Sequence, residues 1–292
     1  VSYIGRFAPS PTGPLHAGSL VAALASYLDA RAHQGRWLIR IEDIDETRTI
    51  VGAADDIIHT LEALGMESDE PIIWQSQRQS RYEAAFLELG NKVYPCACSR
   101  KEIADSRVSL SNDGAAIYPG TCRFGLPEGR SARAWRLRVP DVGDALDIIE
   151  FNDRWQGRVS ESLSAAVGDF VLRRADGFWA YQLAVVIDDA DQEITHVVRG
   201  ADLLESTTRQ IYLQKILKKK IPHYLHVPVI NNDRGEKLSK QTGAQALDIS
   251  KPVSTLLDAA HALELNIKTN DVKSVQIFFE AAVPAWARRF GD

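Results

Sequence analysis

Residues 3–41 alternate strand, stiff turn, helix and strand, and this limits the fold more than any other feature of the chain. Residues 3–8 read as a short strand, broken off by Pro9-Ser10-Pro11-Thr12-Gly13-Pro14. Over 16–32, Leu20, Ala23, Leu24, Tyr27, Leu28 and Ala30 recur at helical spacing. Gly35 closes that helix, and Trp37-Leu38-Ile39-Arg40-Ile41 reads as a buried strand. Two strands joined through a helix lie parallel with a right-handed crossover. The expected class is α/β, and open sheets of that kind bind ligands beyond the carboxyl ends of their strands.

Further helices are expected over 49–65, where Gly65 is the stop, and over 78–91. The stretch 93–165 differs, with all the cysteines, several Gly and Pro, and short alternating pieces such as Ala134-Trp135-Arg136-Leu137-Arg138-Val139. It reads as an inserted subdomain with little helix. Strands are expected over 179–187 and 193–198, joined by a turn at Asp188-Asp189-Ala190-Asp191, then a helix over 201–217 and a strand over 225–230. The division that follows is 1–92 and 166–240 for the two halves of the main domain, 93–165 for the insertion, and 241–292 for a helical C-terminal segment.

The net charge of −5 excludes a globally basic protein, so any contact with nucleic acid has to use local patches. Lys215 with Lys218-Lys219-Lys220, Arg133-Arg136-Arg138, Arg173-Arg174 and Arg288-Arg289 are candidates, and each reads equally as solvated surface. The longest near-apolar run, 20–28, is too short to span a bilayer. The first residues lack the pattern of a secretory signal, so a cytoplasmic protein is expected.

Two segments carry chemistry. In Arg6-Phe7-Ala8-Pro9-Ser10-Pro11-Thr12-Gly13-Pro14-Leu15-His16-Ala17-Gly18-Ser19 a strand passes through a rigid turn into a helix. Helix N-termini carry unpaired N–H groups and partial positive charge, which suit phosphate. His16 can donate to phosphate oxygens there, and Gly18 lets a flat base approach the backbone. The second segment, Asn231-Asn232-Asp233-Arg234-Gly235-Glu236-Lys237-Leu238-Ser239-Lys240, follows a strand directly. Its lysines can neutralise charge developing on a leaving pyrophosphate. Asp43, Asp45, Asp188 and Asp189 offer carboxylates for a metal, but acidic turn residues are read here as solvated or capping.

Cys96, Cys98 and Cys122 offer three soft ligands, which favour zinc. No His lies between His59 and His196, so a fourth ligand would be Tyr118, a carboxylate such as Glu102, or water. Three free thiols are the alternative.

The two chemical segments together resemble the paired signatures of class I aminoacyl-tRNA synthetases. Their wording, with Arg40-Ile41-Glu42-Asp43-Ile44-Asp45 and Arg199-Gly200-Ala201-Asp202, is similar to the glutamyl-tRNA synthetase family over roughly 1–90 and 165–245. The signatures read His-Ala-Gly-Ser and Lys-Leu-Ser-Lys-Gln here, and keep His16, Gly18 and Lys240. The resemblance implies a Rossmann-like doubly wound parallel sheet with an inserted zinc-containing subdomain and a short helical C-terminal part. It implies catalysis through His16, Gly18, Lys237 and Lys240, and binding of ATP with Mg²⁺ by His16, Gly18, Ser19 and Lys240. It assigns L-glutamate to Arg6, Ala8, Ser10, Glu42, Tyr181 and Arg199. Glutamate carries two carboxylates and an ammonium, which the Arg6 and Arg199 forks and the Glu42 carboxylate match in charge. A structural Zn²⁺, one per chain, would sit on Cys96, Cys98, Tyr118 and Cys122.

The chain runs only to Asp292, too soon after the lysine loop for the family's helical anticodon-binding domain. It therefore resembles a shortened bacterial branch that attaches glutamate to the queuosine base of tRNA(Asp). The expected partners are ATP, L-glutamate and queuosine-carrying tRNA(Asp), with no membrane and a monomeric chain. The alternatives are a catalytic fragment of a conventional glutamyl-tRNA synthetase and a non-catalytic RNA-binding or regulatory paralogue.

Overall fold

The computed structural model describes residues 2–105, 117–230, 246–268 and 271–291. Strand β1 (Ile4–Phe7), helix α1 (Ala17–Ala32) and strand β2 (Arg36–Ile41) form the first βαβ unit, with β1 and β2 parallel and Arg6 opposite Leu38. Helix α2 (Ala53–Ala63) leads to β3 (Ile73–Trp74), which adds in parallel to β2. Helix α3 (Gln79–Glu88), β4 (Val93–Cys96), α4 (Arg100–Asp105) and β5 (Ala134–Leu137) follow. Next come β6 (Ile148–Asp153), β7 (Gly157–Ser162), α5 (Leu163–Ala166), β8 (Phe170–Arg173) and α6 (Tyr181–Asp191). The chain continues through β9 (His196–Gly200), α7 (Leu204–Ile216), β10 (His223–Val227), α8 (Pro252–Ala262) and α9 (Val275–Phe290).

β10 pairs in parallel with β9 and with β6, and β7 closes that edge antiparallel. The two blocks meet where β1 runs beside β9. There Thr195 N donates to Ile4 O at 2.9 Å, and Ile4 N donates to the Thr195 hydroxyl at 2.8 Å. The strand order is thus β3-β2-β1-β9-β10-β6-β7. Successive strands step one way from β1 and the other way from β9, so a crevice opens between those two at their carboxyl ends. Apolar side chains of α1, α2, α8 and α9 fill one face of the sheet, and those of α3, α6 and α7 fill the other.

Two expectations are corrected. Residues 179–187 are not a strand: only Trp179 bridges to Arg173, and helix α6 begins at Tyr181. The helix buries a continuous stretch, 183–189, so it shows no polar face to betray its period. Asp188 and Asp189 consequently lie inside α6, not in a turn, and are buried partners of arginines, not solvated or capping groups. Asp43 does cap, accepting from Ser76 N at 2.9 Å. Strand pairing runs across position 165. β4, β5 and β8 form a separate antiparallel sheet, whereas β6 and β7 join the parallel one.

Candidate active site

The turn between β1 and α1 is held by its neighbours. Glu42 N donates to Pro9 O and Ile50 N to Pro11 O, each at 2.9 Å, and Gly13 takes φ 135°, which a side chain would resist. His16 caps α1, its ring Nδ1 accepting from Ser19 N at 3.3 Å while Nε2 lies 3.0 Å from the Ser19 hydroxyl. A cleft of about 250 Å³ opens at this point. One side of it carries His16, Gly18 and Ser19 at the helix start. Arg6, Ala8, Ser10, Tyr181 and Arg199 line the rest, together with Asp202 and the residues after β10.

Arg6 and Arg199 reach this cleft in different electrostatic settings. The Arg6 guanidinium grips Asp189 with two hydrogen bonds, at 3.1 and 3.4 Å. Arg40, fully buried, donates to the same Asp189 at 2.8 Å, to Gln192 at 2.8 Å and to Glu42 at 3.2 Å. Burial alone would raise the Asp189 carboxyl, but Arg6 and Arg40 together hold it below the usual carboxylate range. Arg199 instead has neutral partners: His226 Nε2 at 3.0 Å, the Thr207 hydroxyl at 2.8 Å and the Tyr181 hydroxyl at 3.4 Å. Among the described residues it makes no ion pair with a carboxylate.

Of the residues expected at the site, Glu42 alone among the described ones does not line the cleft. It stands behind the wall beside Arg40, and burial pushes its carboxyl up. Lys237 and Lys240 lie outside the described residues. The motif reading missed Arg40, Asp189, Thr207, His226 and Asp153. The available signal was a polar residue inside an apolar strand, since His226 sits amid Leu225 and Val227 and has to be hydrogen-bonded there.

A second constellation lies at the end of β4. The thiols of Cys96, Cys98 and Cys122 fall within 4.8 Å of one another, with Cys98 and Cys122 3.7 Å apart. The Tyr118 hydroxyl is 3.4 Å from the Cys96 sulfur and 3.6 Å from that of Cys98. Tetrahedral zinc, with bonds of about 2.3 Å to sulfur and 2.0 Å to oxygen, gives ligand–ligand edges of about 3.8 and 3.5 Å. The donor set and its spacing fit that ion.

A parallel sheet with two arginines and a helix N-terminus at its crevice is the architecture of an α/β protein built to bind an anionic ligand there. Residues 4–255 match the family model for the catalytic domain of class I tRNA synthetases (E and Q). The chain belongs to this family, and within it to the glutamyl-Q tRNA(Asp) synthetases. The glutamyl-Q tRNA(Asp) synthetase of Janthinobacterium sp. (strain Marseille) is 62% identical over 99% of this chain and 98% of its own length. That of Verminephrobacter eiseniae (strain EF01-2) is also 62% identical, with the same coverage. Among solved structures, a glutamate tRNA ligase from Elizabethkingia meningosepticum CCUG26117 in complex with its amino acid superposes with a TM-score of 0.70 at 31% identity. That match covers 83% of this chain and 53% of the ligase, so the chain spans about half the ligase's length.

Proposed function

We propose that this enzyme activates L-glutamate with ATP and passes the glutamyl group to the queuosine base of tRNA(Asp). The observation that carries the reading is the meeting of two guanidinium groups, Arg6 and Arg199, with the N-terminus of α1 in one cleft. An amino acid with two carboxylates needs two cations, because a buried carboxylate left unpaired costs several kcal/mol, roughly 3–5 when a buried pair is broken. Among the described residues Arg199 has no carboxylate partner, and its charge is available to the ligand. Tyr181, Ala8 and Ser10 shape the same wall. Glu42 supplies negative charge from behind Arg40, and its influence on the ammonium is electrostatic.

His16, Gly18 and Ser19 receive the ATP phosphates at the helix start, and Lys237 and Lys240 offset the charge of the leaving pyrophosphate. Mg²⁺ accompanies ATP and neutralises phosphate charge. The glutamate carboxylate is already ionised and needs no general base to attack the α-phosphate. Holding the reactants in line supplies much of the acceleration, roughly 7–11 kcal/mol in well-oriented systems. Cys96, Cys98, Tyr118 and Cys122 would hold one zinc ion per chain, in a structural role. The reading puts a monomeric enzyme in the cytoplasm, and among the described residues no helix is long and apolar enough to cross a membrane.

The queuosine acceptor is favoured over the terminal adenosine because the relatives named for it match over 98% of their length at 62% identity. Two assays test the proposal. Glutamate-dependent ATP–pyrophosphate exchange should be present without tRNA, and its absence would leave a non-catalytic binder. Labelled glutamate should then attach to tRNA(Asp) carrying queuosine and not to tRNA(Glu). Charging of tRNA(Glu) alone would return the enzyme to the conventional branch.

A further inference from the structure

Arg199 stands on β9 directly opposite His226 of β10, and β10 in turn pairs with β6, whose last residue is Asp153. The three side chains form a line across adjacent strands. His226 is fully buried, with Nδ1 2.6 Å from Asp153 Oδ2 and Nε2 3.0 Å from Arg199 Nε. An arginine N–H can only donate, so Nε2 has to be the bare, accepting nitrogen. The ring proton therefore sits on Nδ1 and is donated to Asp153. The Thr207 hydroxyl, 3.1 Å from the same Nε2, finds its one lone pair taken and donates to Leu203 O at 3.3 Å instead.

We propose that Asp153 and His226 are positioning residues for Arg199, fixing one imidazole tautomer so that the guanidinium is held by neutral acceptors and aimed at a substrate carboxylate. The inference rests on the glutamate reading of the cleft. Nε is committed to His226, and Nη2 to Thr207 and Leu203. Among the described residues Nη1 has only the long contact to Tyr181, and it is left for the ligand. Because His226 and Thr207 are uncharged, they orient Arg199 without cancelling the charge that the ligand needs. Burial keeps the imidazole below its usual pKa and so neutral at pH 7. The arrangement contrasts with Arg6, which is oriented by the charged Asp189.

Asp153→Asn is the sharp test. Asp153 Oδ1 accepts from the backbone N–H groups of Trp155, Gln156 and His226, so the asparagine oxygen has to take that side. Its amide nitrogen then faces His226 Nδ1 as a donor, and the ring proton is driven to Nε2, against Arg199 Nε–H. The wrong tautomer disables geometry without removing a side chain. In pyrophosphate exchange by the full-length enzyme, the KM for glutamate should rise about ten-fold or more while the KM for ATP and kcat stay within about three-fold. His226→Leu should behave alike, and His226→Gln, whose carbonyl can accept from Arg199, should recover part of the loss. The ¹⁵N resonances of the His226 ring in the unmutated protein should report a protonated Nδ1 and a bare Nε2. An Nε2–H tautomer there overturns the proposal whether or not the variants fold, as does an unchanged glutamate KM in Asp153→Asn. Absence of exchange in the unmutated enzyme would instead count against the glutamate reading, and the resonances would still decide the tautomer.

Discussion

Asp189 is shared between two arginines, and that sharing sets how Arg6 can act. The paired residues are 183 positions apart in the chain, and Arg40 reaches Asp189 across 149. Arg6, His16, Gly18 and Arg199 were legible because each belongs to a continuous run of motif residues. The roles of Asp189, of His226 and of Arg40, although the last stands in a motif run, were not, because they come from partners that only the fold brings near. Asp189 also gives a pH signature. Its folded pKa lies below the unfolded value of about 3.9, so its stabilisation is present above that value and is lost as pH falls through the folded pKa. Glu42, with its pKa raised chiefly by burial, works in the opposite sense and is better tolerated protonated. Asp189→Asn leaves two buried guanidinium groups undercompensated and should cost roughly 3–5 kcal/mol at pH 7. The gap in urea midpoint between the variant and the unmutated protein should begin to narrow as pH is lowered past about 3.9 and go on narrowing below it, and a constant gap would contradict the linkage.

At the scale of elements, period and punctuation served well where one face of a helix meets solvent. The expected helix over 49–65 begins at Ala53 in the structure, a boundary shift only. Helix α6 was misread because Leu183, Ala184, Val185, Val186 and Ile187 are all buried, and a helix enclosed on every side spells the same apolar run as a strand. The helical tail was legible as helix, but its packing was not. Helix α9 lies against α1, the helix whose N-terminus forms the cleft, with Trp286 fully buried and its indole N–H donating to Asp29 at 2.8 Å. Asp29 also receives the Tyr3 hydroxyl and the Arg154 fork, which ties α1, β1, the β6–β7 turn and α9 to one carboxylate. Trp286→Ala should therefore destabilise by roughly 3–5 kcal/mol through the cavity it leaves. Trp286→Phe, which keeps most of the volume and loses the hydrogen bond, should cost less, about 1–3 kcal/mol. Thermal unfolding of the two variants orders them, and equal losses would mean that α9 does not brace α1.

At the scale of the molecule, the described residues form two large cores on opposite faces of the parallel sheet and a third, much smaller cluster. It consists of Tyr94, Cys96, Ala97, Tyr118 and Cys122, with a few partly buried neighbours. The large cores explain why an α/β fold was readable from the pattern alone. The insertion was readable only as a departure from that pattern, since three cysteines that would gather on a metal leave no periodic trace. Among the described residues that cluster buries little apolar area, and a zinc ion on its donors would add binding free energy to its folding. The cysteine-bearing segment 97–133 leaves the chain after β4 and returns at β5, and these two strands form with β8 a sheet apart from the parallel one. Loss of the ion should therefore loosen the insertion and leave the cleft intact. Purified protein should carry about one zinc per chain, and Cys98→Ser should lose it, because three remaining donors bind far less tightly than a closed tetrahedral set. Limited proteolysis of the variant should cut within 97–133 while glutamate-dependent exchange persists. Metal analysis that finds no zinc in unmutated protein grown with ample zinc, combined with an insertion that resists protease equally in both forms, would assign the three thiols to packing alone.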